Sequence, residues 1–322
     1  MNRILGHEKE EAELAGALRS GRIFPTWIFH GLFGVGKAGI AFKFAKCLLA
    51  DVIPERNALD VDEGNPIHKL VDLRTHPDFF ILEQTEESVS IDEVRKLLLK
   101  VQKTPALSKR RVVILENASS LNKNIYNSLL KMLEEPPKDT VVVMICSNAG
   151  MIPQTLLSRS AKLYFRPLEE STVKRVLDDM GVKNSEKLAR LSEGSVGYAL
   201  RLSENNGIEI YENILRGFAS DSWPKALKWI VDNKICERFE IVKTSFLRIL
   251  KIYVDILNGV ASDGFDDEAK ILSPIAASKN PKDREIKKVQ EIIYGVNICE
   301  PALLDKTAAV ANAFERFFTE TA

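Results

Sequence analysis

Short apolar runs alternate with helix-like stretches over the first half of the chain. The runs typical of buried strands are Trp27–Phe29, Phe79–Leu82, Val112–Leu115, Val141–Cys146 and Leu163–Phe165. Between them, apolar residues recur at helical spacing, most clearly in Ile91–Val101 and Ile125–Leu133. Because strands that alternate with helices are typical of a parallel sheet, the pattern predicts an α/β domain over residues 1–165.

Polar residues and prolines mark the ends of two of these helices. Ser90 precedes the first helix and Glu93 follows three residues later, which is the spacing of a capping box. Pro136 and Pro137 stop the second helix near Glu135, because a proline inside a helix removes a backbone hydrogen bond.

The strand pattern ends after Phe165. Three short helical patterns follow, namely Glu169–Met180, Ser185–Leu191 and Gly197–Ser203. They predict a small helical domain over residues 166–207. Residues 208–322 read almost entirely as amphipathic helix, which predicts an all-α domain. For the apolar stripe between Leu303 and Phe318, the core of a helix bundle is favoured over a surface for a partner.

Composition narrows the class of protein. The chain has 322 residues, of which 45% are hydrophobic and 28% charged, as in a soluble globular protein. Lys plus Arg equals Asp plus Glu at 45 each, so no net charge draws the whole chain to nucleic acid or membrane. No apolar run approaches the roughly 18 residues of a membrane span. The four cysteines lack C-x-x-C spacing. A cytoplasmic protein with reduced thiols and no membrane contact is expected.

A phosphate-binding loop follows the first predicted strand. The segment Gly31-Leu32-Phe33-Gly34-Val35-Gly36-Lys37-Ala38 fits the pattern Gly-x-x-x-x-Gly-Lys. Backbone amides around Gly31, Gly34 and Gly36 can curl around phosphate, and Lys37 can reach the outer phosphates. Ala38 stands where hydrolases have a Ser or Thr hydroxyl that holds Mg²⁺, so one metal ligand is missing.

A second departure from a hydrolase follows the third predicted strand. There the apolar run ends in Glu116 and Asn117, where hydrolases carry an Asp that orients Mg²⁺ and a Glu that polarises water. Because an Asn side chain cannot accept a proton, the expected base is missing.

Further segments give the chain a family resemblance. The helix and stop at Asn127–Pro137, the strand end Ser147-Asn148 and the triplet Ser158-Arg159-Ser160 resemble a helix, the sensor-1 position and the arginine-finger motif of AAA+ clamp-loader ATPases. Gly6-His7-Glu8 and Thr75-His76-Pro77-Asp78 are similar to segments of the delta-prime branch of bacterial clamp loaders. The resemblance is specific over residues 1 to about 205 and rests beyond that on helical character alone.

The resemblance implies a fold and a set of partners. It implies an AAA+ parallel sheet of the P-loop type, a small helical lid and a helical collar that holds subunits in a ring. Such a ring loads a sliding clamp onto primed DNA as part of a DNA polymerase holoenzyme. The implied partners are ATPase motor subunits, a clamp-opening subunit and, through the complex, the sliding clamp and primer-template DNA.

The resemblance also assigns roles to residues. Arg159 is implied to be catalytic in trans, because a planar, permanently charged side chain can meet the γ-phosphate of ATP on a neighbouring subunit. The alternative is that Arg159 is a surface arginine at a helix end, without a catalytic role. Glu116, Asn117, Ser147 and Asn148 fall, with the phosphate-binding loop, at positions of a degenerate nucleotide site.

A third departure lies in the predicted lid. The segment Gly194–Leu200 resembles the sensor-2 segment, where hydrolysing relatives carry an Arg, but this chain has Gly197. Together with Ala38 and Asn117, this leaves three catalytic roles empty. The sequence therefore predicts a subunit without ATPase activity of its own, and leaves open whether ATP or ADP binds without turnover.

The predicted loop before Thr75 bears on metal binding. Relatives of this type often carry a Cys-rich zinc module there, but Ile53–Arg74 contains no Cys. His68 is interpreted as part of a solvated loop, and no zinc is expected.

Two other functions remain as alternatives. The first is an ATPase in its own right, with Glu116 as metal ligand. The second is a general nucleic-acid-binding protein, which the zero net charge disfavours. For the basic triplet Lys109-Arg110-Arg111, a solvated turn is favoured over contact with DNA phosphates.

Overall fold

The computed structural model describes residues 4–59, 61–83, 90–118, 121, 123–219, 225, 228–229, 239–260, 266–277, 282–298, 315 and 317. The chain divides into two compact units, Met1–Leu200 and Arg201–Ala322. The division into three domains, with boundaries after residues 165 and 207, stays a prediction. The apolar stripe at 303–318 lies outside the described residues, except for Glu315 and Phe317.

Strands and helices alternate along the first unit. The strands are β1 (Thr26–Gly31), β2 (Phe79–Leu82), β3 (Arg111–Leu115), β4 (Thr140–Cys146) and β5 (Ala161–Phe165). The helices are α1 (Glu8–Ser20), α2 (Lys37–Leu49), α3 (Pro66–Asp72), α4 (Ile91–Val101), α5 (Lys123–Glu134), α6 (Gln154–Leu157), α7 (Glu170–Asp179), α8 (Ser185–Leu191) and α9 (Val196–Glu204). Every predicted strand is confirmed and starts within two residues of its predicted position.

The five strands form one parallel sheet in the order β2-β3-β4-β1-β5. In this sheet His30 on β1 lies opposite Cys146 on β4 and opposite Tyr164 on β5. Because all the strands point the same way, the loops that follow β1, β3 and β4 emerge at one edge of the sheet. The predicted α/β class is confirmed.

Apolar side chains cover both faces of the sheet. On one face, α1 and α2 bury Leu14 and Phe44 against Phe29. On the other face, α4, α5 and α6 bury side chains such as Leu129 against Ile28. Each fully buried side chain of this size contributes roughly 1.5–3 kcal/mol to folding. The sheet is therefore a rigid support for the loops at its edges.

The predicted capping box at the start of α4 is confirmed. The Glu93 amide donates to Ser90 Oγ at 3.2 Å, and the Ser90 amide donates to Glu93 Oε2 at 2.9 Å. At the other end of α4, the buried Arg111 guanidinium donates to the carbonyl oxygens of Val101 and Lys103. A side chain from β3 thus takes up carbonyls that the helix end leaves unpaired.

The segment Thr75–Asp78 is a structural clasp between β2 and the chain that leaves α4. The buried Asp78 carboxylate accepts hydrogen bonds from the amides of Ala106, Leu107 and Ser108 at 2.7–2.9 Å. Burial raises the pKa of Asp78, but these three backbone bonds outweigh it and hold the pKa below its usual value. Beside it, His76 Nδ1 accepts from the Asp78 amide at 3.1 Å.

The described part of the second unit is helical. Its helices are α10 (Gly207–Ala219), α11 (Phe239–Leu257), α12 (Asp266–Ala277) and α13 (Lys282–Ile298), and α11 packs against the other three. Two buried phenols bond acids across the helices, Tyr211 to Glu268 at 3.0 Å and Tyr253 to Glu285 at 3.4 Å. None of the helices described in either unit combines the length and apolarity that a bilayer crossing requires.

Candidate functional site

The phosphate-binding loop joins β1 to α2. Gly34 and Gly36 adopt φ angles of 74° and 115°, in the region that favours glycine. The loop ends where α2 begins at Lys37. Ala38, the next residue, packs its methyl group against the core that α1 and α2 share with the sheet. This residue therefore has no hydroxyl to offer to a metal ion.

Lys37 is bound to the backbone of its own loop. Its Nζ donates to the carbonyl oxygens of Gly31 and Leu32, both at 2.6 Å, and its side chain is buried. Burial lowers the pKa of Lys37 to about 8, although the nearby Cys146 opposes this shift. Burial likewise raises the pKa of Cys146 to about 11. A phosphate at this loop must compete with the two carbonyls for Lys37.

The turn before α9 lies directly on the phosphate-binding loop. Ser195 Oγ donates to the Phe33 carbonyl at 2.6 Å, and the Gly197 amide donates to the Gly34 carbonyl at 2.8 Å. A methyl group at Gly197 would lie 2.7 Å from Gly34 Cα, closer than Cβ atoms approach backbone. Gly197 is thus packed against the loop, with no room for a side chain at this position.

His7 contacts the same loop through a different segment. Its buried Nε2 lies 2.6 Å from the Val35 carbonyl, and its ring meets Phe165 edge-on with centroids 5.0 Å apart. A methyl group at Gly36 would lie 3.3 Å from the His7 ring. The segment Gly6–Glu8, noted in the sequence for its resemblance, therefore contacts the loop backbone.

Glu116 and Asn117 follow β3 at the same edge of the sheet. Burial and the neighbouring Glu83 raise the pKa of Glu116, and Arg74 acts in the opposite direction. Arg74 itself pairs with Glu83 at 2.6 Å. Asn117 has a φ angle of 50°, in the left-handed region that Asn tolerates better than most residues. The chain after β3 therefore offers a carboxyl group at Glu116 but no base at Asn117.

Ser147 and Asn148 follow β4 and are exposed. Asn148 Oδ1 accepts from the Gly150 amide at 2.8 Å and so caps a single 3-10 turn at Ala149–Met151. The structure therefore brings the phosphate-binding loop, Glu116, Asn117, Ser147 and Asn148 to one edge of the sheet, as the sequence predicts. Their roles in binding a nucleotide stay predictions.

Arg159 lies at the opposite edge of the sheet. It follows α6 and precedes β5, whose first residue Ala161 pairs with Trp27 while its last residue Phe165 pairs with Gly31. At about 3.3 Å per residue, the strand separates Arg159 from the chain's own phosphate-binding loop by at least ~13 Å.

The Arg159 side chain is accessible. It is 59% exposed, and Nη1 lies 4.0 Å from Oε1 of the exposed Glu135. Such surface pairs contribute about 0–1 kcal/mol, so the guanidinium is easily released. Ser160 Oγ donates to the Leu156 carbonyl at 2.8 Å, which fixes the backbone on which Arg159 stands.

Two interpretations of basic and histidine residues are wrong. His68 is buried in α3, with Nδ1 2.9 Å from the Asp62 carbonyl, and is not part of a solvated loop. Arg111 is 2% exposed and binds the end of α4, so only Lys109 and Arg110 lie on the turn, both beside Asp51. Neither contact was visible in the sequence, because the partners are not adjacent in the chain.

The described residues contain no cluster of side chains suited to bind a metal ion. Within them, no group of three or more His, Cys, Asp or Glu residues is placed to hold a metal ion. Cys47 and Cys146 are buried and form no disulfide within the described residues, and Cys236 and Cys299 lie outside them. The absence of zinc stays a prediction.

Comparison with known families assigns the chain. A family model described as "DNA polymerase III, delta subunit" matches residues 6–169, about half of the chain. The chain belongs to this family, and the resemblance to clamp-loader subunits of the AAA+ class is confirmed.

Individual relatives match over part of their length. A DNA polymerase III subunit delta' of Pseudomonas aeruginosa is 34% identical over 55% of this chain and 55% of its own. The subunit delta' of Bacillus subtilis is 30% identical over 60% of this chain and 58% of its own. A subunit tau/gamma of Haemophilus influenzae is 27% identical over 62% of this chain and 30% of its own. The chain thus spans a third to just over half of these curated relatives.

Solved structures with a similar course of the chain are more distant. A DNA polymerase III gamma subunit-related protein of Thermotoga maritima gives a TM-score of 0.44 at 14% identity, covering 98% of this chain and all of its own. The DNA clamp loader delta protein of Bacillus subtilis gives a TM-score of 0.35 at 12% identity, covering 96% of this chain and 99% of its own.

Proposed function

We propose that this chain is a subunit of the DNA polymerase III clamp loader that hydrolyses no ATP and donates Arg159 to the ATP site of a neighbouring subunit. In this role it completes the ring that loads the sliding clamp onto primed DNA. Its partners are the ATPase motor subunits and the clamp-opening subunit, and through them the clamp and primer-template DNA.

The chain's own nucleotide site supports the absence of hydrolysis. Ala38 offers a methyl group in place of the hydroxyl that holds Mg²⁺. Asn117 cannot take a proton from water. Gly197 has no side chain, and the space for one is filled by Gly34. Phosphoryl transfer depends on a metal ligand, a base and a cation, and Ala38, Asn117 and Gly197 have no side chain for these roles.

The position of Arg159 carries the proposal. It is exposed, and it lies at the edge of the sheet opposite to its own phosphate-binding loop. An arginine about 13 Å or more from the site of its own subunit cannot serve that site. It can serve a neighbour that docks on this edge, where its planar fork would neutralise charge on the transferring phosphoryl group.

Nucleotide binding without turnover is compatible with this role. The glycine backbone of the loop and the start of α2 favour an anion. Lys37 donates hydrogen bonds to two carbonyl oxygens of the loop, so a phosphate that binds Lys37 has to replace these bonds. A further loop carbonyl, that of Phe33, accepts a hydrogen bond from Ser195. We therefore expect any binding of ATP or ADP to be weak and independent of Mg²⁺.

The experiment that tests the proposal is Arg159→Ala in a reconstituted clamp loader. Because Arg159 is exposed, the variant should fold and assemble normally, with a change in stability below about 0.5 kcal/mol. Clamp- and DNA-dependent ATP turnover should fall, because arginine fingers accelerate hydrolysis at their own site by roughly 10³–10⁵. The decrease in ATP turnover of the whole complex is smaller if the other ATP sites hydrolyse independently.

A matched variant separates this role from a general loss of surface charge. Arg175→Ala also removes an exposed arginine, but from α7, and should leave turnover unchanged. Arg159→Lys keeps the charge without the planar fork and should restore little turnover. Normal turnover in an assembled Arg159→Ala complex would reduce Arg159 to a surface residue, and failed assembly would make it structural.

A further inference from the structure

An exposed strip lies on β5, the outermost strand of the sheet, where the covering helices do not reach. On β5, Lys162 pairs with Ile28 and Tyr164 pairs with His30, so all four side chains share one face of the sheet. Ile28 is fully buried under α4, α5 and α6. On the neighbouring edge strand Lys162 is exposed, and Tyr164 is 51% exposed. The layer of helices that covers β1 therefore leaves this part of β5 open to solvent.

Two aromatic rings lie side by side on the strip. The rings of His30 and Tyr164 have centroids 5.1 Å apart and planes inclined by 32°. Partial burial lowers the pKa of His30, and the charges of Lys162 and Lys37 lower it further. These effects favour the neutral imidazole, whose ring lies beside that of Tyr164.

Cations flank the exposed ring on both sides. Lys162 stands two residues before Tyr164, and the exposed Arg166 stands two residues after it. Along β5 the step from Lys162 to Tyr164 measures about 6.6 Å, and Arg166 directly follows the last residue of the strand. Within the part of the chain that the structure describes, neither cation has an ion pair with a carboxylate. The nearest acids in sequence, Glu169 and Glu170, belong to the start of α7.

We propose that this strip, formed by His30, Lys162, Tyr164 and Arg166, binds single-stranded DNA. A free base can stack on the exposed face of Tyr164, and phosphates on either side can meet Lys162 and Arg166. A duplex keeps its bases stacked on one another, so the exposed ring favours an unpaired strand. Stacking and phosphate contacts read no base edges, and binding should tolerate any sequence.

The strip is compatible with the zero net charge of the chain. Charge balance over the whole chain disfavours a general nucleic-acid-binding protein, but it does not prevent a local basic surface. With only two cations, affinity should be modest and fall with rising salt. The inference extends the proposed function to direct contact with DNA, and it does not depend on Arg159 or on assembly.

The test compares two strands on the isolated full-length chain. Fluorescence anisotropy at about 50 mM salt measures binding of an oligothymidylate of about 12 nucleotides and of an abasic strand with the same number of phosphates. Tyr164→Ala should weaken oligothymidylate binding about tenfold and leave the abasic strand unchanged, since stacking of one base is lost. Tyr164→Phe should bind like the wild type, because the ring remains.

Charge variants complete the design. The double variant Lys162→Ala/Arg166→Ala should weaken both strands, because both carry phosphates. Lys131→Ala and Tyr294→Ala remove an exposed cation and an exposed ring elsewhere and should change nothing. The inference is overturned if the wild type binds neither strand, or if Tyr164→Ala binds oligothymidylate as tightly as the wild type. Either result leaves the test of Arg159 in the assembled complex untouched.

Discussion

The Ser195 hydroxyl donates a 2.6 Å hydrogen bond to the Phe33 carbonyl and so joins two segments that lie 162 residues apart in the chain. Two residues on, the amide of Gly197 makes a second bond to the loop, at Gly34. In a hydrolase of this class, the same place is where a lid arginine would meet the phosphates. Here the turn before α9 contacts the loop backbone directly.

Gly197→Ala should destabilise the protein by about 1–3 kcal/mol, because the added methyl group would lie 2.7 Å from Gly34 Cα and force backbone to move. Gly16→Ala is the matched control, since a methyl group there, inside α1, would meet no atom within 4 Å. It should stabilise the protein by about 0.5–1 kcal/mol. Urea denaturation of both variants makes the comparison, and a Gly197→Ala protein as stable as the control would contradict the close contact.

Asp78→Asn should cost about 2–3 kcal/mol at pH 7, because the amide cannot satisfy the three backbone donors that the carboxylate accepts. Since the folded protein holds the pKa of Asp78 below its usual 3.8, this stability is present above that pH. It should be lost as the pH falls through the lower pKa of the folded state.

The measurement is urea denaturation of wild type and Asp78→Asn between pH 7 and pH 3. The difference between the two proteins should be constant down to about pH 4 and shrink below it. Asp92→Asn, which alters an exposed carboxylate, serves as control and should change stability by less than about 0.5 kcal/mol. A difference that stays constant to pH 3 would rule out the clasp as the cause.

Lys37→Met should reveal a second pH dependence of the same sign, but at alkaline pH. Burial lowers the pKa of Lys37 to about 8 in the folded state, against a usual value of 10.5. Between these values the unfolded chain binds the proton that the folded chain has lost, so the stability of the wild type should rise with pH. The Met variant lacks this group.

Unfolding free energies at pH 7, 8.5 and 9.5 give the test. The wild type should gain stability relative to Lys37→Met across this range, and the exposed Lys131→Met control should parallel the wild type. If the two curves for wild type and Lys37→Met run parallel, Lys37 is not buried as the structure places it.

The isolated chain should release no phosphate from ATP, because metal ligand, base and lid cation are all missing. The double variant Ala38→Ser/Asn117→Glu should remain inactive, since Gly197 still leaves the lid cation absent. A phosphate-release assay with Mg²⁺ measures both proteins. A rate of about 1 s⁻¹ or more for the unaltered chain, in the range of working phosphotransfer enzymes, would refute the non-hydrolysing role.

Most of the fold could be predicted from patterns between residues that are close together in the sequence. Each strand was visible as an apolar run because a parallel sheet is buried on both faces. The capping box at Ser90 and Glu93 was visible because its two partners are three residues apart. The glycines and Lys37 of the loop were visible because phosphate binding demands them at fixed spacing.

Contacts between distant segments were not predictable in this way. Asp78 binds amides that follow about 30 residues later, and Ser195 binds a carbonyl on the other side of the sheet-forming region. Arg111 carries a charge and stands next to two other cations in sequence, which suggests solvent exposure, yet it is buried. Only the fold itself brings a helix end within its reach.

The contact between Gly34 and Gly197 has a consequence for how such a chain can evolve. Serine at 38 keeps the Cβ atom that alanine already has, so it can arise while the surrounding backbone stays in place. A cation at 197 cannot, because its first carbon atom already collides with Gly34. The contact between the two glycines therefore excludes a longer side chain at 197 unless the loop and the turn before α9 move apart.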